Sequence, residues 1–439
     1  MGSRWLRQRA GVLAETNFRR FYTGYVTSLF GSSMSAVAVA FAVLDSGKHA
    51  TGLGYVFAAR VVPQVLELPV AGAVADRFGR RRVMLAADTL RCATQAALAG
   101  VVLAGRPALW VFVLLAWLGG TGEGFFAAAR DALTVEIAPR GQLVNANAMY
   151  GLARSATSIA GPAAGGVLVA LAGPGVVVAV DAGSYAVSVL ALALLRLPGR
   201  ATARDGHTVQ GGGTLQNGHT GQGGETAPGR PGLRRMLWRD MAEGWAEFRS
   251  RTWLWAVTVQ FAFFNLITWA PWMLLGPVVA HAYLGGAAVW GAIMAAQGAG
   301  AIAAGLLALG RKPRRPMVVA TAGTFCYALP DLPMALHAPA GWVAAAAFCC
   351  GAGSATSGIF GGTAVQQQVP PELLARVNAL SMFPSFGIGV IGYAIDGPLY
   401  AAFGPAAVFG VGAAYGLLSS AAMLTLRSIR DLPWTERAG

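Results

Sequence analysis

Residues 72–82 read GAVADRFGRRR, and this short stretch interrupts an oily region of the sequence. About twenty mostly apolar residues precede it and about twenty follow it, which is the length of a helix that spans a bilayer. Within the stretch lie four arginines, one aspartate and two glycines. A polar turn of this kind predicts a loop that leaves the membrane between two spanning helices.

The composition supports a membrane protein. Of the 439 residues, 55% are hydrophobic and 12% are charged, whereas about 25% are charged in an ordinary soluble domain. The net charge of +14 comes from basic residues in short gaps between apolar runs. Such clusters favour the lipid bilayer as the partner of this chain, and we expect no nucleic-acid binding.

Twelve apolar runs are long enough to cross a bilayer core, which takes about 20 residues in a helix. Strands are excluded at these lengths because lipid requires each span to satisfy its own backbone hydrogen bonds. The fold class expected is therefore all-α, integral to the membrane. The predicted spans are 21–44, 52–75, 83–104, 108–129, 145–171, 175–196, 253–277, 287–309, 316–336, 341–364, 378–402 and 405–426.

The distribution of basic residues predicts the orientation. With the N-terminus in the cytoplasm, the inner segments hold 28 of the 33 Lys and Arg residues, and the outer loops hold only Lys48 and Arg106. Arg60, Arg91 and Arg154 lie inside spans. The positive-inside rule thus predicts a multi-pass protein of the cell membrane with both termini cytoplasmic.

A Gly-rich segment divides the spans into two sets of six. This segment has too few apolar residues to form a hydrophobic core, and its composition is typical of a flexible linker. After it, apolar residues recur at helical spacing opposite charged residues, which predicts an amphipathic helix on the inner membrane surface. The predicted domains are a six-helix bundle at 1–198, the linker at 199–232, the surface helix at 233–251 and a second six-helix bundle at 252–439.

The two halves resemble each other in sequence. PRGQLVNANAM at 139–149 aligns with PPELLARVNAL at 370–380, an offset of 231 residues. The same offset brings Gly161 onto Gly392 and Gly166 onto Gly397. Because the offset contains an even number of spans, both copies have the same orientation, and parallel repeats of this kind are typical of transporters.

Two motifs resemble those of the major facilitator superfamily. The first is the signature between the second and third helices, matched by Gly72, Asp76, Arg77, Gly79, Arg80 and Arg81. The second is part of an antiporter-associated motif in the fifth helix, matched by Gly161, Pro162, Gly165 and Gly166. The stretches at 17–45, 88–92 and 369–380 further resemble the branch of bacterial siderophore exporters and macrolide or multidrug efflux proteins.

The resemblance implies a cytoplasmic gate at the first motif. In the family, the Asp and Arg residues of this loop hold the two bundles together at the inner face, and Asp131 is a candidate Arg partner here. From the residues themselves, we expect Gly79 to allow a positive φ and Gly72 to allow close helix approach. Asp76 is expected just before the third helix, where an acid is favourable. The alternative is that these arginines only fix the topology.

Acids inside the spans are candidates for proton coupling, because an unpaired carboxylate is costly in hydrocarbon. With only three arginines in the spans, at least three acids lack a guanidinium partner and can load and release protons. By depth and spacing we expect Glu67–Arg91, Arg60–Asp181 and Asp88–Arg91 pairs. The acids are Glu67, Asp88, Glu123, Asp181, Asp331 and Asp396.

These acids are not equivalent. Glu123 has no evident partner at its depth, and it shares candidacy for coupling with Glu67; a structural role is the alternative for both. Asp88 and Asp181 are expected to be structural, and the role of Asp396 is left open. Arg154 completes the set of intramembrane charges.

The seventh span is rich in aromatic residues. Phe264, Asn265 and Trp269 are candidates for a substrate cavity, since aromatic walls with a few amides suit an amphipathic ligand. The alternative is that these rings face lipid, which is the expectation for Trp253 and Trp255.

The sequence favours transport over catalysis. We find no phosphate-binding loop, metal-ligand spacing or catalytic constellation, so we expect neither an enzyme nor a cofactor. The prediction is a secondary transporter, acting as a monomer, that exports an amphipathic small molecule such as a drug or natural product in exchange for protons. The alternatives are a nutrient importer or facilitator, and a membrane interaction protein that assists secretion.

The predicted topology can be tested with reporter fusions. Because the basic residues lie on one side of the twelve spans, a reporter active only in the cytoplasm should be active at both termini and inactive after Lys48. Reporter activity at one terminus only would contradict an even number of spans.

Overall fold

The structure, a computed structural model, is helical throughout the residues that it describes and contains no β-strand there. Those residues are 12–137, 142–195, 245–246 and 248–433.

Much of the predicted connection between the halves falls outside this part of the chain. The linker at 199–232 is outside it, as is most of the surface helix at 233–251. The described end of that helix supplies Phe248, which is buried beside Trp253 and Ile429.

The first half contains six helices, each long enough for its backbone hydrogen bonds to be satisfied across the bilayer. Most of the connections between them are short. The helices are α1 (Thr16–Asp45), α2 (Ala50–Phe78), α3 (Arg80–Ala104), α4 (Leu109–Ile137), α5 (Leu143–Ala172) and α6 (Pro174–Ala193).

The second half repeats this arrangement. One 55-residue helical segment divides at Gly404, whose φ of 76° lies in the left-handed region that favours glycine. The resulting helices are α7 (Thr252–Leu284), α8 (Ala287–Ala308), α9 (316–335), α10 (Ala340–Gln368), α11 (371–403) and α12 (405–425), followed by the short α13 (Arg427–Arg430).

The described helices are consistent with the predicted twelve spans. Eight segments are individually long and apolar enough to cross a membrane, or nine if the bent helix α2 is included. One of these segments comprises parts of both α11 and α12. Of the remaining helices, α3 carries several charges and α9 is interrupted by a 3₁₀ turn at Cys326–Ala328.

One buried apolar cluster joins the two halves at one end of the molecule, which we call the sealed end. Met34 and Leu53 of the first half belong to the same cluster as Trp272 and Ile293 of the second. At the surface of this end, His281 Nε2 lies 3.1 Å from Asp45 Oδ1, so a polar contact also crosses between the halves.

Glycines related by the repeat make equivalent contacts. Gly161 of α5 lies against Ser33 of α1, and Gly392 of α11 lies against Ala270 of α7. Five residues further on, each helix turns to the opposite half: Gly166 packs on α8, and Gly397 packs on α2. The structure thus confirms the parallel repeat, and it assigns these small residues to close helix contact.

The other end, which we call the open end, has no core shared by the halves among the described residues. Phe18, Met84 and Leu133 belong to a cluster built only from the first half. Trp253 and Met317 belong to a separate cluster of the second half. The halves therefore meet at the sealed end and separate toward the end that carries the arginine-rich loop at 77–82.

The glycine contacts of the sealed end can be tested with Gly397→Val. A Cβ atom at this position would overlap the backbone of Ala50 and Thr51, so the substitution should open the sealed end. We expect a cysteine placed at Leu53 to react about tenfold faster with a membrane-impermeant maleimide, which corresponds to about 1.4 kcal/mol.

Gly387→Val is the matched control, because a Cβ atom there meets no described atom within 4 Å. Equal labelling rates for Gly397→Val and the control would show that the close contact does not hold the end closed.

Candidate functional site

Helices α2, α3, α4 and α6 bring most of the intramembrane charges of the first half together. The best defined ion pair joins α2 and α4: Arg60 donates from Nε and Nη2 to Glu123 Oε2, at 3.2 and 3.0 Å. The expectation that Glu123 lacks a partner is therefore wrong. Close approach of the helices brings the two side chains within reach, because Gly120 lies against the Arg60 backbone.

Arg91 is the centre of a second, fully buried group. Its Nη1 donates to Asp88 Oδ1 at 3.0 Å, and its Nη2 donates to the Tyr185 hydroxyl at 2.7 Å. The guanidinium also stacks 4.2 Å from the centre of the Tyr185 ring. The second Asp88 oxygen accepts a hydrogen bond from Ser188 at 2.6 Å. Each charge is thus paired and hydrogen-bonded, as burial requires.

Asp181 of α6 is held by neutral donors. Gln95 donates to its Oδ2 at 2.7 Å, and Ser184 donates to its Oδ1 at 3.1 Å. Gln95 also bonds to Ser35 of α1. The predicted Arg60–Asp181 pair does not form, because Arg60 is directed to Glu123 instead.

Glu67 is placed differently from the prediction. Arg91 is engaged by Asp88, so the expected Glu67–Arg91 pair does not form. The Thr121 hydroxyl bonds to the Glu67 carboxyl group, while the Oε2 atom is buried without a partner among the described residues. Arg154 is exposed, and its charge acts on Glu123 from α5.

A run of glycines on α4 makes room for these groups and was not recognised in the sequence. Residues 119–124 read GGTGEG. A Cβ atom at Gly122 would lie 2.7 Å from the Arg91 Cγ atom, and one at Gly124 would overlap the Glu67 carboxyl group. The sequence signal was available, since four glycines lie beside the only acid in the predicted span at 108–129.

The charged groups surround a small cavity of about 50 Å³. Arg60, Arg91, Gln95, Glu123 and Tyr185 contribute its polar wall, and residues such as Phe57 and Leu98 contribute its apolar wall. A space of this size holds water molecules rather than a drug-sized ligand. The cavity is thus a water-sized space that adjoins the Arg60–Glu123 ion pair.

The arginine-rich loop makes its described contacts within the first half. Arg80 lies 3.4 Å from Asp76 and 3.7 Å from Glu136 of α4. Arg81 donates to the carbonyl oxygens of Leu192 and Ala193 at 2.9 and 2.6 Å, and so caps the end of α6. The sequence did not predict the contact of Arg80 with Glu136 or the cap that Arg81 forms on α6.

Two expectations for this loop change, and one stays untested. Gly79 has the expected positive φ of 92°, but α2 continues to Phe78, so Asp76 occupies the last turn of α2 rather than a position before α3. A Cβ atom at Gly72 would meet no described atom within 4 Å, so Gly72 does not serve close helix approach. The Asp131 side chain lies outside the described residues. Arg77 stacks on its neighbour Phe78.

The fifth-helix motif lies at contacts between helices. Gly161 and Gly165 pack on α1, where Gly165 meets the backbone of Met34, and Gly166 packs on Gly291 of α8. Pro162 stands inside α5, and its carbonyl oxygen also lies against Gly291. The motif thus contributes contacts within the first half and contacts between the two halves.

A comparison with protein families decides the classification. Residues 21–392 match the model of the Major Facilitator Superfamily. The chain belongs to this superfamily.

Relatives with assigned names match over part of the chain. The multidrug efflux pump Tap of Mycobacterium tuberculosis is 35% identical over 178 residues, which are 38% of this chain and 42% of the relative. Macrolide efflux protein A of Streptococcus pyogenes is 23% identical over 182 residues, which are 41% of this chain and 45% of the relative. The matches thus span less than half of the length of these relatives.

Solved structures of this superfamily fold cover almost the whole chain. The peptide transporter POT in complex with sulfate aligns with a TM-score of 0.69 over 97% of this chain and 99% of the other, at 13% identity. The D-xylose-proton symporter aligns with a TM-score of 0.62 over 94% and 96%, also at 13% identity. At this identity the likeness concerns the fold, and it confirms the predicted major facilitator architecture.

In this superfamily member, the aromatic residues of α7 do not form one cavity wall. Phe264 is buried inside the second half, with its ring 4.9 Å from that of Tyr327. The Asn265 side-chain amide donates a hydrogen bond to the Phe261 carbonyl oxygen. Trp269 packs against the shared apolar cluster of the sealed end. Adjacent residues of a helix point in different directions, so Phe264 and Asn265 do not share a face; a π-helical turn begins at Asn265.

The expectation for the tryptophans at the start of α7 is half correct. Trp255 is exposed on the outside of the bundle, whereas Trp253 is buried. Trp253 and Phe261 line a cavity of about 300 Å³ at the open end of the second half, together with several hydroxyl and amide groups. Among them are Thr258, Gln260, Thr321, Thr324, Ser357, Ser381 and Ser385.

The stability of the Arg91 group can be tested by Arg91→Met. This change leaves the Asp88 carboxylate and the Tyr185 hydroxyl buried without their partner. Breaking a buried pair costs about 3–5 kcal/mol, so the thermal unfolding midpoint of the purified protein should fall markedly.

The double variant Asp88→Asn/Arg91→Met should recover part of this loss, because it leaves no unpaired charge. Arg106→Met, in a loop, is the control and should leave the midpoint unchanged. If Arg91→Met and Arg106→Met behaved alike, the buried pair would not stabilise the fold.

Proposed function

We propose that this superfamily transporter exports an amphipathic small molecule, such as a drug or natural product, in exchange for protons. The observation that carries the proposal is a membrane fold sealed between its halves at one end, with a buried acid–arginine network beside the seal. The similarity of one stretch to efflux proteins supports the direction of transport and the substrate class.

The contacts of the sealed end suit alternating access. They rest on glycine-to-backbone contacts and one compact apolar cluster. Rigid halves can separate at such an interface without repacking their own cores, since each has a separate cluster at the open end. Rocking would then expose the central space to one side of the membrane at a time.

Glu123 is our first candidate for proton coupling, with Glu67 as the second. Protonation of Glu123 would remove the charge that holds Arg60, and a freed guanidinium beside the cavity would have to find another partner. Asp88, Arg91 and Asp181 would support this site structurally. Arg154 would add positive charge near Glu123.

The cavity of the second half is a candidate for part of the substrate path. Its walls combine aromatic surface with neutral hydroxyl and amide groups, a mixture that suits amphipathic compounds. No charged side chain lines it among the described residues. These properties favour a neutral or weakly cationic cargo.

The proposed location is the cell membrane, with both termini cytoplasmic. The arginine-rich loop would then face the cytoplasm, and the open end would be the cytoplasmic end. In this arrangement the structure corresponds to an inward-open state.

Transport in inverted membrane vesicles tests the proposal. When the vesicle lumen is acidified, a proton-coupled exporter should accumulate a radiolabelled macrolide or cationic dye in the lumen. Glu123→Gln should abolish accumulation against a gradient, because its side chain cannot exchange a proton. The exposed substitution Glu15→Gln is the matched control and should transport like the unmodified protein.

The alternatives give different results. A nutrient importer or facilitator would mediate uptake only into right-side-out cells. A membrane interaction protein would give no flux with any compound of a panel and would instead copurify with a stable partner. Either result would overturn the export proposal.

A further inference from the structure

Two acids of the second half are buried, and three of their four carboxyl oxygens have no hydrogen-bond partner among the described residues. Asp331 of α9 is 1% exposed and Asp396 of α11 is 2% exposed. Both Asp331 carboxyl oxygens and the Asp396 Oδ2 atom lack a hydrogen-bond partner among the described residues. Native proteins rarely leave buried polar atoms in this condition, so the two acids call for an explanation.

No cation faces these acids among the described groups. Asp331 and Asp396 act on each other electrostatically, and Asp331 also acts on the Cys350 thiol of α10. Tyr393, on the same helix as Asp396, is the other titratable neighbour. On α12, the backbone of Gly412 lies against the Asp331 carboxyl group, and the Thr268 hydroxyl of α7 donates to the Gly412 carbonyl oxygen.

The neutral acid is therefore the form that fits this environment. An ionised carboxylate without a partner costs several kcal/mol at such a place. Two neighbouring carboxylates cannot both remain ionised at close range. A proton on each group removes both costs without requiring any other change in the fold.

A line of hydroxyl groups leads from the open-end cavity toward Asp331. Thr324 of α9 lines that cavity, and Tyr327 and Asp331 follow it along the same helix, in which Cys326–Ala328 form a 3₁₀ turn. The Tyr327 hydroxyl is hydrogen-bonded to Ser354 and Ser357 of α10. Ser357 also lines the cavity. From Thr324 to Asp331 the path covers about 10 Å.

At its other end, the site adjoins the seal between the halves. Asp396 immediately precedes Gly397, the residue at which α11 packs on the Thr51 backbone of α2. Separation of α2 from α11 would expose this point to the opposite side of the membrane. The two acids thus lie between a cavity on one side and a movable seal on the other.

We propose that Asp331 and Asp396 form a proton-binding site of the second half, separate from the Glu123 group. The inference rests on the proposed proton-coupled export. With the sealed end open, Asp331 takes a proton from water and becomes a neutral acid beside Asp396, which keeps its proton throughout the cycle. The seal closes over the neutral acids. Asp331 then returns its proton to water that enters from the open-end cavity past Tyr327.

A first experiment measures the protonation state without transport. Infrared spectra of the purified protein at neutral pH should contain the carbonyl band of a neutral carboxylic acid. Asp331→Asn and Asp396→Asn should each reduce this band, and the exposed substitution Asp431→Asn should not. An unchanged band in both variants would overturn the proposal.

Thermal unfolding of the same variants gives a second readout. Asparagine resembles the neutral acid in shape and charge, so neither variant should lower the unfolding midpoint. Asp88→Asn, which breaks an ion pair, should lower it. A loss in Asp331→Asn as large as that in Asp88→Asn would show an ionised, partnered Asp331 and would refute the site.

Transport assays separate failure of this site from failure of the export mechanism. Acidified inverted vesicles containing Asp331→Asn should lose accumulation of the macrolide, while exchange of macrolide without a proton gradient should continue. Tyr327→Phe should slow accumulation but retain the infrared band. If the unmodified protein accumulates the macrolide and Asp331→Asn does so equally, only the proton site fails. If the unmodified protein does not respond to the gradient, the export mechanism itself fails.

Discussion

A charged group inside hydrocarbon must find a partner or lose its charge, and this requirement organises the interior of the molecule. The first half contains three arginines within its predicted spans, and two of them form direct ion pairs with Glu123 and Asp88. The predicted spans of the second half contain no Lys or Arg. Its buried acids therefore have neutral surroundings. One fold thus provides a paired and an unpaired set of carboxyl groups.

Close approach of helices makes these groups possible. Gly120 and Gly122 on α4 admit the backbone of α2 and the side chain of Arg91. At the interface of the halves, Gly166 and Gly397 allow whole helices to approach each other closely. In lipid, helix association depends on such packing rather than on the hydrophobic effect. The interface between the halves is consequently tight in this conformation.

The arginine-rich loop has a more local role in this conformation than the family resemblance implies. Its described contacts link α2, α3, α4 and α6 within one half. Arg81 closes the carboxyl end of α6, so the same residues that set the topology also stabilise the bundle.

The sequence by itself determined the all-helical class, the approximate number of spans, the parallel repeat and the superfamily. Each depends on composition or on spacing along the chain, because the bilayer sets the length and polarity of the segments that can cross it. It also predicted the Asp88–Arg91 pair, since residues three apart on a helix are neighbours.

Only the tertiary structure decided the partners between helices. Depth along a span suggested Glu67 for Arg91 and Asp181 for Arg60, but depth does not specify which way a helix is rotated about its axis. The rotation is set by contacts such as Gly120 on Arg60 and Gly122 on Arg91. The rotation of α7 likewise decides that Phe264, Asn265 and Trp269 face different surroundings. A π-helical turn at Asn265–Trp269 also interrupts the regular helix there.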